Sequence, residues 1–307
     1  MKAMIHEQYG DPEVLQLAER PAPNPAPGEA LVRVRAAAVN PVDWKVLAGY
    51  LDELMPAFFP ATPGWDVAGV VESVGFDTPE FAPGDEVIAY CRKDHVHDGA
   101  FAEYLSVPAR ALARKPRNLS WEQAAGLPLA GLTALQLLKR LELTAADAVL
   151  IHAASGGVGA FAAQIAVARG ARVVGTASPA NHEFLRSLGV EPVSYGEGLA
   201  DRLREVAPDG FSLVADFIGG VLDTTRAVLR TGGRHGSIID DSVESADGLY
   251  LWTRVSGAEL TELVDLAESG HLTVPVAQIF PLDEAAEALR ANQSGHTRGK
   301  IAVRVSG

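Results

Sequence analysis

Two textures of apolar and polar positions follow one another along the chain, and they predict two kinds of structure. Over roughly the first 115 residues the pattern favours strands and turns. Leu31-Val32-Arg33-Val34-Arg35 alternates, residues 67–74 are β-rich, and residues 86–90 follow a Pro83-Gly84-Asp85 turn. Helices are scarce there, and the proline-rich stretch at 21–28 reads as a rigid loop between strands. From Ser120 onward helical segments alternate with short apolar strands at 148–152, 172–176, 213–217 and 235–239. Helices fit 157–169, 181–188, 199–206 and 221–230 between or beside them, so the rhythm predicts a parallel sheet covered by helices. After Gly257 two more helices, 258–269 and 283–291, precede a last strand at 300–305, which can return to the sheet of the first region.

Composition narrows the class. A chain of 307 residues has room for about two domains, and 48% apolar with 21% charged residues is ordinary for a globular protein. There are 26 Lys and Arg against 39 Asp and Glu, a net charge of −13, and no basic run, which argues against nucleic acid as a main partner. The first residues turn polar before an apolar signal segment forms. The longest apolar stretch, 124–138, is interrupted by Pro128 and falls short of the ~20 residues a membrane helix needs. The expectation is a cytoplasmic protein with no membrane partner. Cys91 is the only cysteine, which excludes an intrachain disulfide and any zinc site built on four cysteines or on two cysteines with two histidines.

The candidate chemistry begins at residues 148–159, where an apolar strand runs through a glycine turn into a helix. Against the dinucleotide fingerprint G-x-G-x-x-G the turn reads Ala154-Ser155-Gly156-Gly157-Val158-Gly159, with alanine at the first glycine. Gly156 permits close approach of a phosphate, and Gly159 permits close packing of helix on strand. The same residues also suit an ordinary strand, turn and helix. A fold that selects NAD places Asp or Glu at the end of the second strand, about 20 residues past the turn. Here Ala177 takes that place and no acid follows until Glu183, so a phosphate is not repelled and Ser178 can donate to it. The expected cofactor is NADP(H).

Segments spread over nearly the whole chain resemble the zinc-independent medium-chain dehydrogenases/reductases of the quinone oxidoreductase (zeta-crystallin-like) group. They are residues 39–45 (Val-Asn-Pro-Val-Asp-Trp-Lys), 63–71, 81–87, 99–104, 127–134, 152–159 and 298–301. The resemblance implies a GroES-like substrate domain from residues 1–119 and 258–307, a Rossmann domain at 120–257, an active-site cleft at their junction, and a homodimer. Zinc-type members carry a cysteine ligand early in the first domain and a Gly-His-Glu segment; Asn40 and Gly64-Trp65-Asp66 stand there instead, and neither Asn nor Trp is a serviceable ligand. No metal is expected. Asp94, His95, His97 and Asp98 form a ligand-capable cluster, for which a solvated loop is the simpler reading. Ser155, Gly156, Gly157 and Val158 are the candidate phosphate-turn residues. The resemblance adds Asn181 and Tyr195 beside the adenosine phosphate and Thr133 beside the nicotinamide, against plain packing roles for Tyr195 and for a helix hydroxyl at Thr133.

Without a metal, the easier hydride acceptors are those that spread the arriving charge over a conjugated system, namely quinones and α,β-unsaturated carbonyl compounds. A donor near the carbonyl oxygen then lowers the barrier. The catalytic candidates are Lys45, as an electrostatic donor or an acid against a solvent-facing alternative, Asn40, lining the nicotinamide pocket, and Asp43, orienting its neighbours. Asp216 reads as a loop cap. Phe58, Phe59, Trp65 and Trp252 could shape an aromatic pocket, with core packing the simpler role for each. Two other readings stand: an enoyl-thioester reductase, and a non-enzymatic NADPH-binding or crystallin-like structural protein.

Overall fold

In the computed structural model, which describes residues 1–295 and 298–306, the two textures become two units: Met1–Leu129 with Val255–Gly307, and Ala130–Arg254. The first unit opens with the hairpin of β1 (Lys2–Ile5) and β2 (Gln16–Glu19), followed by β3 (Glu29–Val39), α1 (Pro41–Leu47), β4 (Asp66–Val74), β5 (Glu86–Tyr90), β6 (Tyr104–Pro108), β7 (Leu112–Arg114) and α2 (Trp121–Ala125). Helix α3 (Pro128–Arg140) carries the chain into the second unit. That unit holds β8 (Ala148–Ile151), α4 (Gly159–Ala168), β9 (Arg172–Ala177), α5 (His182–Ser187), β10 (Glu191–Ser194), α6 (Leu199–Val206), β11 (Phe211–Asp216), α7 (Leu222–Val228), β12 (Leu229–Ser237) and β13 (Leu249–Tyr250). The chain ends in the first unit with α8 (Gly257–Glu268), β14 (Val276–Pro281), α9 (Ala285–Gln293) and β15 (Lys300–Arg304).

The alternation in β3 does what its period predicts: Val32 and Val34 are buried while Leu31, Arg33 and Arg35 are half-buried. Strand β3 lies inside a seven-stranded sheet of order β14-β15-β3-β4-β5-β7, with β6 also paired to β3. The last strand does return to this sheet, antiparallel to β3 with Ile301 opposite Val39. Val32, Val34, Val39, Val67, Val87 and Leu105 join Leu289 of α9 in one core.

The second unit is a six-stranded parallel sheet of order β10-β9-β8-β11-β12-β13. This is the doubly wound Rossmann order, which reverses between β8 and β11 and places a ligand crevice beyond their carboxyl ends. Leu150, Val174 and Val214 from the sheet pack with Leu199 and Leu203 of α6 and Val228 of α7.

Some boundaries differ from the pattern. Helix α4 begins at Gly159 rather than 157, because residues 155–158 form the turn itself. Strand β12 begins at Leu229, well before residue 235: its register against β11 jumps between Leu229 and Arg234, and the looped-out polar residues, with Gly232 at φ +73°, carry no apolar signal. Residues 120–129 group with the first unit, since α2 lies on β3 and β4. Among the described residues no helix is long and apolar enough to cross a membrane.

Candidate active site

The first candidate site is the glycine turn of the second unit. After β8 the chain takes a left-handed step at Ala153, φ +56°, one residue before the fingerprint begins. That step is held by the next strand: Ala153 N–H donates to Thr176 Oγ1 at 3.1 Å and Ala154 N–H to the Thr176 carbonyl at 3.0 Å. The turn then folds on itself so tightly that a Cβ on Gly159 would stand 2.2 Å from the Ala153 carbonyl oxygen and 2.8 Å from Ala154 Cα. A Cβ on Gly175 of β9 would stand 2.6 Å from the Ala154 methyl, whereas one on Gly156 meets only the Ala153 oxygen, at 3.2 Å. Gly159 thus serves the closing of the turn, and Gly156 leaves its outer side open. The partly exposed residues 155–158 lead into α4, whose start carries the positive end of the helix dipole, with the Gly156 amide given to the Ala153 carbonyl and the Ala160 amide to the Gly156 carbonyl, each at 3.0 Å. That is a cradle for a pyrophosphate.

Beside the turn, Asn181 Nδ2 donates to Ser155 Oγ at 3.2 Å and to Ser178 Oγ at 3.3 Å. Three residues named from the sequence therefore meet at the end of β9, where Ala177 is buried and the first acid, Glu183, is exposed on α5. Tyr195 follows β10 one step beyond the Ser194–Ala177 pair and is 63% exposed, so it is not a packing residue. Neutral donors and no carboxylate suit a phosphomonoester there. Thr133 is buried in α3 with its hydroxyl 2.7 Å from Thr253 Oγ1, while Gln136 binds the Arg254 backbone in both directions at 2.8 Å. Asp216 caps the loop after β11, accepting from the Ile218 and Gly219 amides at 2.9 and 3.0 Å and from Ser237 Oγ at 2.7 Å. His152, buried above the sheet, is held neutral: burial lowers its ring pKa to about 4 against the opposing pull of Asp216.

The second candidate site lies in the first unit, where the end of β3 meets the starts of β4 and β15. Asn40 is buried there, and its backbone N–H donates to Asp43 Oδ2 at 2.7 Å, the acidic half of a capping box on α1. Asn40 Nδ2 donates to Asp66 Oδ2 at 2.8 Å, and Lys300 Nζ donates to Asn40 Oδ1. Lys300 Nζ also reaches the Val39 carbonyl at 3.3 Å and Asp66 at 3.8 Å, and Asp66 Oδ1 accepts from the Leu129 amide at 2.7 Å. All four residues are at most 4% exposed. Burial pushes the Asp43 carboxyl up to about 8, with the charge of Asp66 adding and the Asn40 amide and Lys300 opposing. Burial also raises Asp66, to about 6, against the pull of Lys300 and Asn40, and lowers Lys300.

Lys45 stands apart from this cluster, half-buried with Nζ 5.6 Å from the centre of the Trp44 ring. Asp66 and Lys300 were not among the residues singled out for chemistry, although each puts a charge at the start of an apolar strand, a signal that could have found them. Trp65 is core, tilted against Tyr90, but Phe58, Phe59 and Trp252 are exposed, so core packing does not describe them. Phe58 stacks edge-on with His95, and Phe59 with His6 and Tyr9.

The zinc question turns on donors. Cys91 is buried with its thiol pushed up by burial and directed at the Trp65 carbonyl, 3.0 Å away. His97 Nδ1 bonds the Phe58 carbonyl at 2.8 Å, and Asp98 is drawn to Lys93 and Arg20. Among the described residues no group of three or more His, Cys, Asp or Glu is placed to hold a metal ion. Among the described residues, Cys91, His97 and Asp98 as they are held do not assemble a zinc site.

Residues 26–117 match the family of alcohol dehydrogenase GroES-like domains, and residues 188–303 the family described as zinc-binding dehydrogenase. The chain is 34% identical to an NADPH-dependent alkenal/one oxidoreductase of Arabidopsis thaliana, over 99% of this chain and 79% of that protein. It is 31% identical to a chloroplast envelope quinone oxidoreductase homolog of the same plant, over 99% and 98%. A solved quinone oxidoreductase from Coxiella burnetii superposes with a TM-score of 0.89 at 33% identity, covering 100% of this chain and 99% of that one.

Proposed function

The chain belongs to the quinone oxidoreductase group of the medium-chain dehydrogenases/reductases, and on that premise we propose that it is an NADPH-dependent reductase of quinones or α,β-unsaturated carbonyl compounds that works without zinc. The observation that carries the reading is the Ser155–Asn181–Ser178 cluster beside the glycine turn, with no carboxylate at the end of β9. The alkenal/one and quinone relatives support the acceptor class.

Bound NADPH would supply the hydride. The turn at Ser155, Gly156, Gly157 and Val158 would hold its pyrophosphate, Ser178, Asn181 and Tyr195 its adenosine phosphate, and Thr133 would stand beside its nicotinamide. On the acceptor, charge gathers at the carbonyl oxygen as the β-carbon is reduced. Lys45 and the Asn40 amide are the donors we assign to that oxygen, where a preorganised hydrogen bond acts more strongly than water does. Asp43 orients Asn40 through its backbone. The reading includes a homodimer in the cytosol; light scattering at twice the chain mass checks the assembly, and a monomer refutes that part.

The direct test follows NADPH absorbance with 1,4-benzoquinone, a simple enone and an enoyl thioester. Tight NADPH binding without oxidation by any of them would sink the reductase reading, and fast reduction of the thioester alone would move the enzyme to enoyl-thioester chemistry. Lys45→Met is expected to lower enone turnover about 100-fold while NADPH affinity stays unchanged. An unchanged rate removes Lys45 from the reaction.

A further inference from the structure

We propose, resting on the reductase reading above, that Asp66 and Lys300 are positioning residues that hold the Asn40 carboxamide in one orientation for the reaction. The two ends of the amide are read by opposite charges: Nδ2 gives a hydrogen to Asp66 at 2.8 Å, and Oδ1 takes one from Lys300. A flipped amide would set its NH2 group against an ammonium and its oxygen against a carboxylate, losing two charge-assisted hydrogen bonds at once. The holders are themselves held. Asp66 accepts from the Leu129 amide at 2.7 Å and lies 3.8 Å from Lys300, which also reaches the Val39 carbonyl at 3.3 Å.

The arrangement is expensive in a core. Two charges leave water to form it, and well-packed apolar residues would serve stability as well or better. The turn from β3 into α1 and the starts of β4 and β15 nevertheless bring one charged or polar side chain each to this point, from positions 40, 66 and 300. Asn40 Nδ2 carries two hydrogens, and once the first is committed to Asp66 the direction of the second is set. A carbonyl oxygen developing negative charge is the acceptor that benefits from a donor already aimed.

Two variants that keep the net charge of the cluster test this. Asp66→Asn with Lys300→Met removes both charges, and Asn40→Asp with Asp66→Asn exchanges amide and carboxylate while keeping Lys300. Each is compared with wild type by the side-chain NH2 resonances of asparagine-labelled protein and by steady-state kinetics with NADPH and an enone. In the first variant the two Asn40 NH2 protons are expected to move toward the shifts of a free carboxamide and to lose their protection from exchange with water. In both variants kcat is expected to fall about 100-fold, with KM for NADPH within about twofold of wild type. Unchanged Asn40 signals in the first variant overturn the proposal, as does a freed amide with unchanged kcat. Retained kcat in the exchanged variant overturns it as well, and that variant decides the matter if the first does not fold. Should wild type itself fail to oxidise NADPH with any acceptor, the reductase reading fails, and with it any role of the amide in catalysis, while the NH2 signals still report whether the two residues hold Asn40.

Discussion

The glycine turn and the buried cluster are two candidate sites built from opposite materials. The turn is made of backbone, from consecutive residues braced by the neighbouring strand, and it works through atoms that are absent. The cluster is made of side chains from the starts of two strands and from α1 and its cap, with two carboxyl groups and an ammonium closed off from water. An added methyl should break the first, and a removed charge should break the second. The cost also differs in kind: a left-handed alanine and close contacts in one, desolvation in the other.

The largest expected effect comes from removing a charge. Lys300→Met leaves Asp66 buried without its partner and should cost about 3–5 kcal/mol in urea unfolding, most of which the added Asp66→Asn should restore. If the single variant is as stable as wild type, the cluster is not a strained, paired element. Next comes the added atom. Gly159→Ala should cost about 3 kcal/mol, the upper end for overpacking, because its 2.2 Å neighbour is backbone. Gly156→Ala meets a single atom at 3.2 Å and should stay within about 0.5 kcal/mol, so similar losses at both glycines would refute the distinction.

A smaller effect is the pH dependence, on which the two regions pull oppositely. Asp43 keeps its proton in the folded state up to about pH 8, whereas the unfolded chain releases it near the ordinary carboxylate value. Its contribution to stability is therefore full at acid pH and is lost as pH rises toward 8, by up to ~1.4 kcal/mol per pH unit. His152, lowered to about 4, contributes stability that is full above its ordinary value of 6.5 and is lost as pH falls toward 4. Between pH 6.5 and 8 only the first of these two acts, and the difference in unfolding free energy between wild type and Asp43→Asn should change by about 2 kcal/mol across that window. A flat difference would mean that Asp43 is ionised in the folded protein. The smallest effect lies in the turn. Ala153→Gly relieves a left-handed alanine at φ +56° and should raise stability by about 1 kcal/mol, seen as a higher Tm.

The parallel-sheet unit is the more legible of the two. Its strands are short apolar runs and its turn is continuous in sequence, so Ser155 and Ser178 can be named from their own segments, while Asn181 comes from the family resemblance; the fold sets the Asn181 amide 3.2 and 3.3 Å from the two hydroxyls. Even there, the positive φ falls on Ala153, because the step is set by hydrogen bonds to Thr176 that no local pattern contains. In the first unit Asn40 and Asp43 can be named from their own segment, whereas Lys45, two residues on, stands outside the cluster because its side chain lies over Trp44. Asp66 and Lys300 look like ordinary strand starts.

What the sequence by itself determined was local or repetitive: the period of two in β3, the alternation of strand and helix after residue 120, the glycine turn, the missing acid at the end of β9 and the single cysteine. Each depends on neighbours along the chain, where backbone geometry limits the choices. Only the tertiary structure decided that the last strand would pair with β3 and set Lys300 against Asn40, some 260 residues earlier. Strand register across that separation is chosen by the burial of whole faces of the sheet, and it alone turns a lysine and an aspartate at two strand starts into a buried pair around one amide.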